Sequence, residues 1–242
     1  MTMDVSYARR LVLAVEPHEF GSRPLKLRKE VLRRGLRTAF QDAVEQAGLV
    51  APEWQTSPDG GGTAVFAADV PEAKILDSFT HQLHGALIQH NRLHSADGAL
   101  RVRLAVHHGM VSGSAEDGFD GPAATQAGDL ARCDEAAHAL DATTAVLVVI
   151  VSDPVMTDTV GGSLSWLEER DMRRVEVRGR PAWLWLLGAE PPAESRPDPP
   201  TPPSSPPPPA APAQSITGHF AYADIHAHQV VAGDVINQRG TQ

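Results

Sequence analysis

The sequence predicts an α/β (α+β) domain with a mixed, mainly antiparallel sheet, followed by a disordered proline-rich linker and a short C-terminal motif. Three observations lead to this prediction. Short apolar runs of strand length alternate with longer stretches of helical periodicity along residues 8–188. Two turn sequences each join a pair of adjacent strands, which favours antiparallel pairing. Twelve of the 20 prolines lie between Pro191 and Pro212, so the globular body ends before them.

Each element follows from a local pattern. LVLAV at Leu11–Val15 has the length and apolar content of a buried strand, and Leu25–Leu49 has an apolar stripe of helical period. Pro58-Asp-Gly60 is a turn sequence between the predicted strands Glu53–Thr56 and Thr63–Ala67. The remaining predictions are a helix that begins near Asp69, a strand over Leu100–Val111, a helix of small residues over Gly121–Ala139, a strand over Ala145–Val151, a short helix from Asp153 to about Val160, and a hairpin of Met172–Val177 and Pro181–Leu187.

Composition excludes several classes of protein. The single cysteine, Cys133, excludes a disulfide scaffold and a four-cysteine or Cys/His zinc site, and it fits a reducing cytoplasm. The longest apolar candidate, Ala145–Val151, is too short to span a bilayer, and the N-terminus lacks the pattern of a secretory signal. The net charge of −9 argues against a nucleic-acid partner. The basic segment from Lys26 to Arg37 is interpreted as a solvated helix face, with a site for an acidic partner or nucleic acid as the alternative.

Three stretches, taken in their order and spacing, carry a family resemblance. They are Ala14–Gly21, Val102–Gly109 and Gly121–Leu130. Together they resemble the nucleotidyl cyclase homology domain of class III adenylate and guanylate cyclases. They are more similar still to the short, divergent cyclase-like domains found beside conflict and signalling modules in bacteria. The resemblance covers about residues 8–188 and implies a ferredoxin-like βαββαβ core and a homodimer formed through this domain.

The resemblance also implies a set of site residues. In the family, two carboxylates hold two Mg²⁺ or Mn²⁺ ions that bind a nucleoside triphosphate and activate the ribose 3′-hydroxyl. Here Glu16 replaces the Asp at the end of the first strand. At the second carboxylate position, in the hairpin tip, Asp59 stands only if the register slips by one residue, and without that slip Gly60 stands there. The simpler interpretations are a loop cap for Glu16 and a turn residue for Asp59. An Asn and an Arg that orient the ribose and neutralise charge are replaced by Thr125 and Asp129.

These replacements point away from catalysis. The charge reversal at Asp129 faces a triphosphate, and Arg132, nearly one turn further on, is the residue that would partly substitute. The resemblance also implies nucleotide binding at Phe20 and Gly21. The leading hypothesis is therefore a signalling protein with a catalytically degenerate, non-enzymatic cyclase-like domain. The alternatives are an active cyclase, with the two carboxylates as metal ligands, and a nucleotide-binding regulator without turnover.

The end of the chain has a different composition. Residues 189–215 predict an extended, polyproline-type spacer. Residues 216–242 have low charge, no proline and many β-branched and amide side chains, which is typical of cross-β segments. This stretch resembles bacterial amyloid-type, RHIM-like signalling motifs, which implies partners that carry a similar motif; a disordered end or a strand that docks on the body are the alternatives. The interaction residues implied by the resemblance are Ile225, Val230, Val231, Gly233, Asp234, Val235, Ile236, Asn237 and Gln238.

Overall fold

A computed structural model of the chain describes residues 7–21 and 26–188, and the predicted linker and C-terminal motif lie outside these ranges. The strands are β1 (Ala8–Pro17), β2 (Glu53–Thr56), β3 (Gly62–Val65), β4 (Val102–Ser114), β5 (Gly118–Asp120), β6 (Leu147–Ser152), β7 (Arg173–Val177) and β8 (Arg180–Leu187). They form one sheet in the order β2-β3-β1-β4-β6-β8-β7, with β5 paired to the end of β4. Among these strands only β4 and β6 run parallel, so the predicted mixed, mainly antiparallel sheet is confirmed.

Within residues 7–21 and 26–188, six α-helices connect the strands. They are α1 (Lys26–Gln46), α2 (Glu72–Lys74), α3 (Thr80–Leu93), α4 (Pro122–Ala131), α5 (Asp134–Asp141) and α6 (Asp153–Met156). A π-helical turn, Ile75–Phe79, joins α2 to α3, and a second, Thr157–Gly161, follows α6. No helix in the described ranges combines the length and the apolar character that a bilayer crossing requires.

The first half of the body has the predicted ferredoxin-like arrangement. The chain runs β1-α1-β2-β3-α3-β4, and β1 lies between its antiparallel neighbours β3 and β4. Leu13 of β1 faces Ala64 on one side and Val106 on the other. Because both edges of β1 are paired and both faces are covered, the predicted buried strand LVLAV is confirmed.

Side chains of β1 alternate between two apolar layers, as the pleat of a strand requires. Leu13 and Val15 pack on the face covered by α1, the π-helical turn and α3. There the ring of Phe40 on α1 meets the ring of Phe79 in the π-helical turn edge to face, with centroids 5.0 Å apart. Val12 and Ala14 pack on the opposite face with residues of α4 and α5. Burial of each large side chain contributes about 1.5–3 kcal/mol, so both layers hold the sheet in place.

The prediction of one continuous helix over Gly121–Ala139 is wrong. The chain leaves α4 after Ala131, Cys133 is extended (φ −66°, ψ 149°), and α5 begins at Asp134. The acidic residues Asp134 and Glu135 stabilise the start of the new helix because they lie at its positive end. The break places Arg132 in a turn rather than on a helix face, and this turn positions the site.

Candidate functional site

The end of β1 carries a carboxylate that is almost fully buried. The side chain of Glu16 is 6% exposed and accepts a hydrogen bond from Nη1 of Arg132 at 3.0 Å. Burial raises the pKa of Glu16, the Arg132 guanidinium opposes that shift, and the carboxylate of Asp59 adds to it. Arg103, opposite Glu16 on β4, also lowers the pKa. Glu16 is therefore a buried carboxyl group whose anionic form depends on neighbouring guanidinium groups.

The tip of the β2–β3 hairpin lies directly against the end of β1. A Cβ atom at Gly61 would fall 1.9 Å from the carbonyl oxygen of Val15 and 3.0 Å from Oε2 of Glu16, so this close approach requires glycine. Asp59 is exposed at the tip, where its amide donates to Oγ of Ser57 at 3.3 Å. The structure thus brings Glu16 and Asp59 to the same end of the sheet, but a glycine makes the contact with Glu16.

Phe20 and Gly21, the residues predicted to bind a nucleotide, differ in accessibility. Phe20 is buried, and a Cβ atom at Gly60 would come within 2.4 Å of its ring. The cationic groups of Lys29 and Arg33 lie 5.3 and 5.2 Å from the ring centroid. Gly21 is exposed, with no described heavy atom within 4 Å of the place a Cβ would take. Phe20 therefore supports the hairpin, whereas Gly21 presents accessible backbone.

Helix α4 carries the two predicted degenerate positions. Thr125 is exposed, and its hydroxyl donates to the carbonyl of Gly121 at 3.2 Å. The side chain of Asp129 is 22% exposed, and its Oδ2 forms an ion pair with Nη1 of Arg178 at 2.9 Å. Arg178 lies in the β7–β8 turn, where it and Gly179 have positive φ angles of 51° and 73°. Asp129 therefore anchors this turn to α4.

The side chain of Arg132 extends to Glu16 and not to Asp129. Its amide donates to the carbonyl of Gly128 at 3.1 Å, and its guanidinium folds back over that glycine. A Cβ atom at residue 128 would lie 2.6 Å from Nη2 of Arg132, so the glycine makes room for the side chain. The sequence predicts that Arg132 partly substitutes for the arginine that Asp129 replaces, but its pairing with Glu16 is seen only in the structure. The available signal was the spacing of a glycine and an arginine four residues apart.

A further group of possible ligand atoms lies just beyond β1. His18, Glu19 and Asp141 each offer one nitrogen or oxygen atom, and these atoms lie within 4.8 Å of one another. Nε2 of the buried His18 is 2.8 Å from Oδ1 of Asp141 at the end of α5. This hydrogen bond gives Nε2 a partner without an ion, and it links the β1 loop to α5.

The described fold matches solved nucleotidyl cyclase structures. The guanylyl cyclase Cya2 aligns with a TM-score of 0.55 at 13% identity, covering 79% of this chain and 98% of that chain. A double mutant of the guanylyl cyclase domain of the RhoGC fusion protein from the aquatic fungus Blastocladiella emersonii aligns with a TM-score of 0.54 at 13% identity, covering 77% and 98%. The adenylyl cyclase CyaB from P. aeruginosa aligns with a TM-score of 0.50 at 12% identity, covering 76% and 95%.

At these identities the likeness shows the fold. The body has the fold of class III nucleotidyl cyclase domains, which confirms the predicted cyclase-like architecture. No family model matches the chain, and no curated protein matches it. The roles assigned to Glu16, Asp59, Thr125 and Asp129 stay predictions.

Proposed function

We propose that this chain is a signalling protein whose cyclase-like domain is catalytically degenerate and whose C-terminal motif recruits partners with a similar segment. The observation that carries the proposal is the ion pair between Glu16 and Arg132, 3.0 Å apart. A cyclase-type mechanism needs the carboxylate at the end of β1 as a ligand to divalent ions. Here a guanidinium already neutralises that carboxylate.

The ligand set at this end of the sheet supports the proposal. Magnesium and manganese ions that act in pairs need several oxygen ligands held around them. Glu16 is buried and paired, the hairpin meets it through Gly61, and Asp59 is exposed at the turn. These residues do not fit the two-ion site of a cyclase.

The charge on α4 supports the same conclusion. Transfer of a phosphoryl group develops negative charge that a positioned cation stabilises. Asp129 brings a carboxylate to the position where the family has arginine, and its pairing with Arg178 at 2.9 Å holds it in place. The hydroxyl of Thr125 is directed to the carbonyl of Gly121. Neither residue supplies the contact that the cyclase chemistry requires.

A second candidate function is a nucleotide-binding regulator without turnover. It is favoured by the open surroundings of Gly21, whose exposed backbone follows β1 at the same end of the sheet as Glu16 and Asp59. An active cyclase is the less favoured alternative, because it would require Arg132 to leave Glu16 before a metal ion could be bound.

The experiment is a turnover assay on the purified full-length chain with ATP or GTP and Mn²⁺. We expect no cyclic nucleotide above the level of the matched variant Glu16→Ala. Formation of a cyclic nucleotide that Glu16→Ala abolishes would contradict the proposal and favour an active cyclase. Calorimetry on the same samples distinguishes the regulator, since saturable nucleotide binding without product, lost in Gly21→Val, supports it.

The part of the proposal that concerns the C-terminus is supported by sequence alone. The proline-rich residues 189–215 separate the body from residues 216–242, whose composition suits addition of an extended strand to an identical or similar one. In this proposal the body forms a homodimer, and the segment Ile225–Gln238 selects the partner.

A further inference from the structure

A positively charged groove lies between α1 and the β2–β3 hairpin, separate from the Glu16 carboxylate. The groove has a volume of about 520 Å³, and its charged lining residues are Arg33, Arg34, Arg37 and Glu30. Successive turns of α1 place the three arginines on one wall. Backbone of Gly60 and Gly61 at the hairpin forms part of the opposite side. The proposed function gives this groove no role.

Two of the arginines are held in place by contacts within the body. Nη2 of Arg33 donates to the carbonyl of Pro58 at 3.0 Å, and its guanidinium lies 5.2 Å from the ring centroid of Phe20. The guanidinium of Arg37 lies over the indole of Trp54 at 4.8 Å. Side chains that are already ordered lose less conformational entropy when a ligand binds. The groove is therefore organised before any ligand enters.

The positive charge of the groove is only partly balanced. Glu30 approaches Arg33 at 3.8 Å, a loose pair on the exposed side of the helix. Arg34 is exposed and makes no ion pair with the described side chains, which are those of residues 7–21 and 29–188. Burial lowers the pKa of Arg37, and its charge faces an aromatic ring rather than a carboxylate. Among the side chains that the structure describes here, three guanidinium groups against one carboxylate leave a local excess of positive charge on a chain with a net charge of −9.

We propose that this groove binds a polyphosphate chain, contributed either by a nucleoside triphosphate or by inorganic polyphosphate. Guanidinium groups present several N–H donors in a planar fork that matches phosphate oxygens. Arg33 uses one donor on Pro58, which leaves its remaining donors for a ligand. A polyphosphate carries several negative charges and can pair with all three arginines, whereas a ligand with a single carboxylate can pair with only one or two of them. The volume of the groove falls in the range of small-molecule sites.

The test is calorimetry on the full-length chain at low ionic strength in the presence of EDTA, with inorganic triphosphate as the probe. EDTA removes divalent ions, so binding at a metal-dependent cyclase-type site does not contribute to the signal. We expect saturable binding that weakens as salt is added. Arg34→Gln and Arg37→Gln should each weaken it by about tenfold, which is the size expected for loss of one charge-assisted contact. Circular dichroism confirms that each variant is folded.

Arg173→Gln is the matched control, because it removes the same charge at an exposed position on β7, the opposite edge of the sheet. It should leave binding unchanged. ATP that binds more tightly than triphosphate identifies a nucleotide as the source, and equal affinity identifies inorganic polyphosphate. The proposal is overturned if triphosphate does not bind, if Arg34→Gln and Arg37→Gln bind like the unchanged chain, or if Arg173→Gln weakens binding as much as they do.

Discussion

The guanidinium of Arg132 lies 3.0 Å from the carboxylate of Glu16, and the two residues are 116 positions apart in the chain. This pair predicts that Arg132→Gln lowers the free energy of unfolding by about 2 kcal/mol at pH 7, the size of one hydrogen bond to a charged group. The loss should be smaller at pH 5. Burial raises the pKa of Glu16 above its ordinary value of 4.5, so the folded state loses stability as the pH rises from 4.5 through the folded-state pKa, where the buried carboxyl group must ionise. Because Arg132 opposes the increase in pKa, its removal costs more where Glu16 is ionised in the folded chain than at pH 5. Urea unfolding at both pH values measures the difference.

The control for this prediction is a double-mutant cycle. Glu16→Gln removes the buried charge, so Arg132→Gln should cost little in that background, because the half-exposed Arg132 then has no anion to stabilise. An equal loss of stability in both backgrounds would show that Arg132 acts through packing rather than through Glu16.

The close approach of the hairpin to β1 predicts an asymmetry between two glycine substitutions. Gly61→Ala should destabilise the body by more than about 2 kcal/mol, because the new methyl group meets the backbone carbonyl of Val15, which cannot move aside. Gly85→Ala, at an exposed position of α3 with no described atom within 4 Å, should stabilise it by about 0.4–1 kcal/mol. Thermal unfolding of both variants tests this, and similar midpoints would be inconsistent with the hairpin contact.

His107 predicts a loss of stability in acid. It is buried on β4 with Nδ1 2.9 Å from Oγ of Ser152, and burial lowers its pKa from 6.5 to about 4, with His108 and nearby arginines adding to the effect. Its contribution to stability is present above pH 6.5 and is lost as the pH falls toward 4, because protons bind to the unfolded chain first. The stability difference between the unchanged chain and His107→Gln should therefore shrink between pH 7 and pH 5.

Chemical denaturation across this pH range supplies the measurement. Parallel curves for the unchanged chain and His107→Gln would contradict the assignment of a buried neutral imidazole.

The C-terminal motif predicts self-assembly of a short peptide. Residues 215–242 should form fibres that bind thioflavin, and Val231→Asp should block them, because a buried charge is costly in a dry cross-β interface. Thr241→Asp, which adds the same charge outside Ile225–Gln238, should not. A peptide that stays monomeric at high concentration would remove the proposed homotypic interaction.

Much of the fold was predictable because its signals are local. The apolar run of β1 and the Pro58-Asp-Gly60 turn are both visible in short windows of sequence. The break after α4 was not, because Arg132, Cys133 and Asp134 include no proline or glycine to end a helix, and packing on the sheet decides where the chain turns. Since the direction of Arg132 depends on that break, its pairing with Glu16 was also beyond a local pattern.

Among the described strands, β4 and β6 form the one parallel pair, and its place in the chain has a consequence for the order of folding. Its register joins Val102 to Leu147 through a crossover that contains α4 and α5, whereas β2, β3, β1 and β4 close on one another as antiparallel neighbours. The β4–β6 register joins residues 45 positions apart, such as Val102 and Leu147, whereas the β1–β4 register joins residues 85 to 103 positions apart, from Pro17 with Val102 to Ala8 with Val111. Contacts between distant parts of a chain form slowly, because the entropy of closing the loop is lost before the contact is gained. We therefore expect β4, β6 and β8 to pair first and β1 to close onto β4 afterwards. The Glu16–Arg132 pair, which needs both β1 on β4 and the completed crossover, then forms as one of the last steps to the native state.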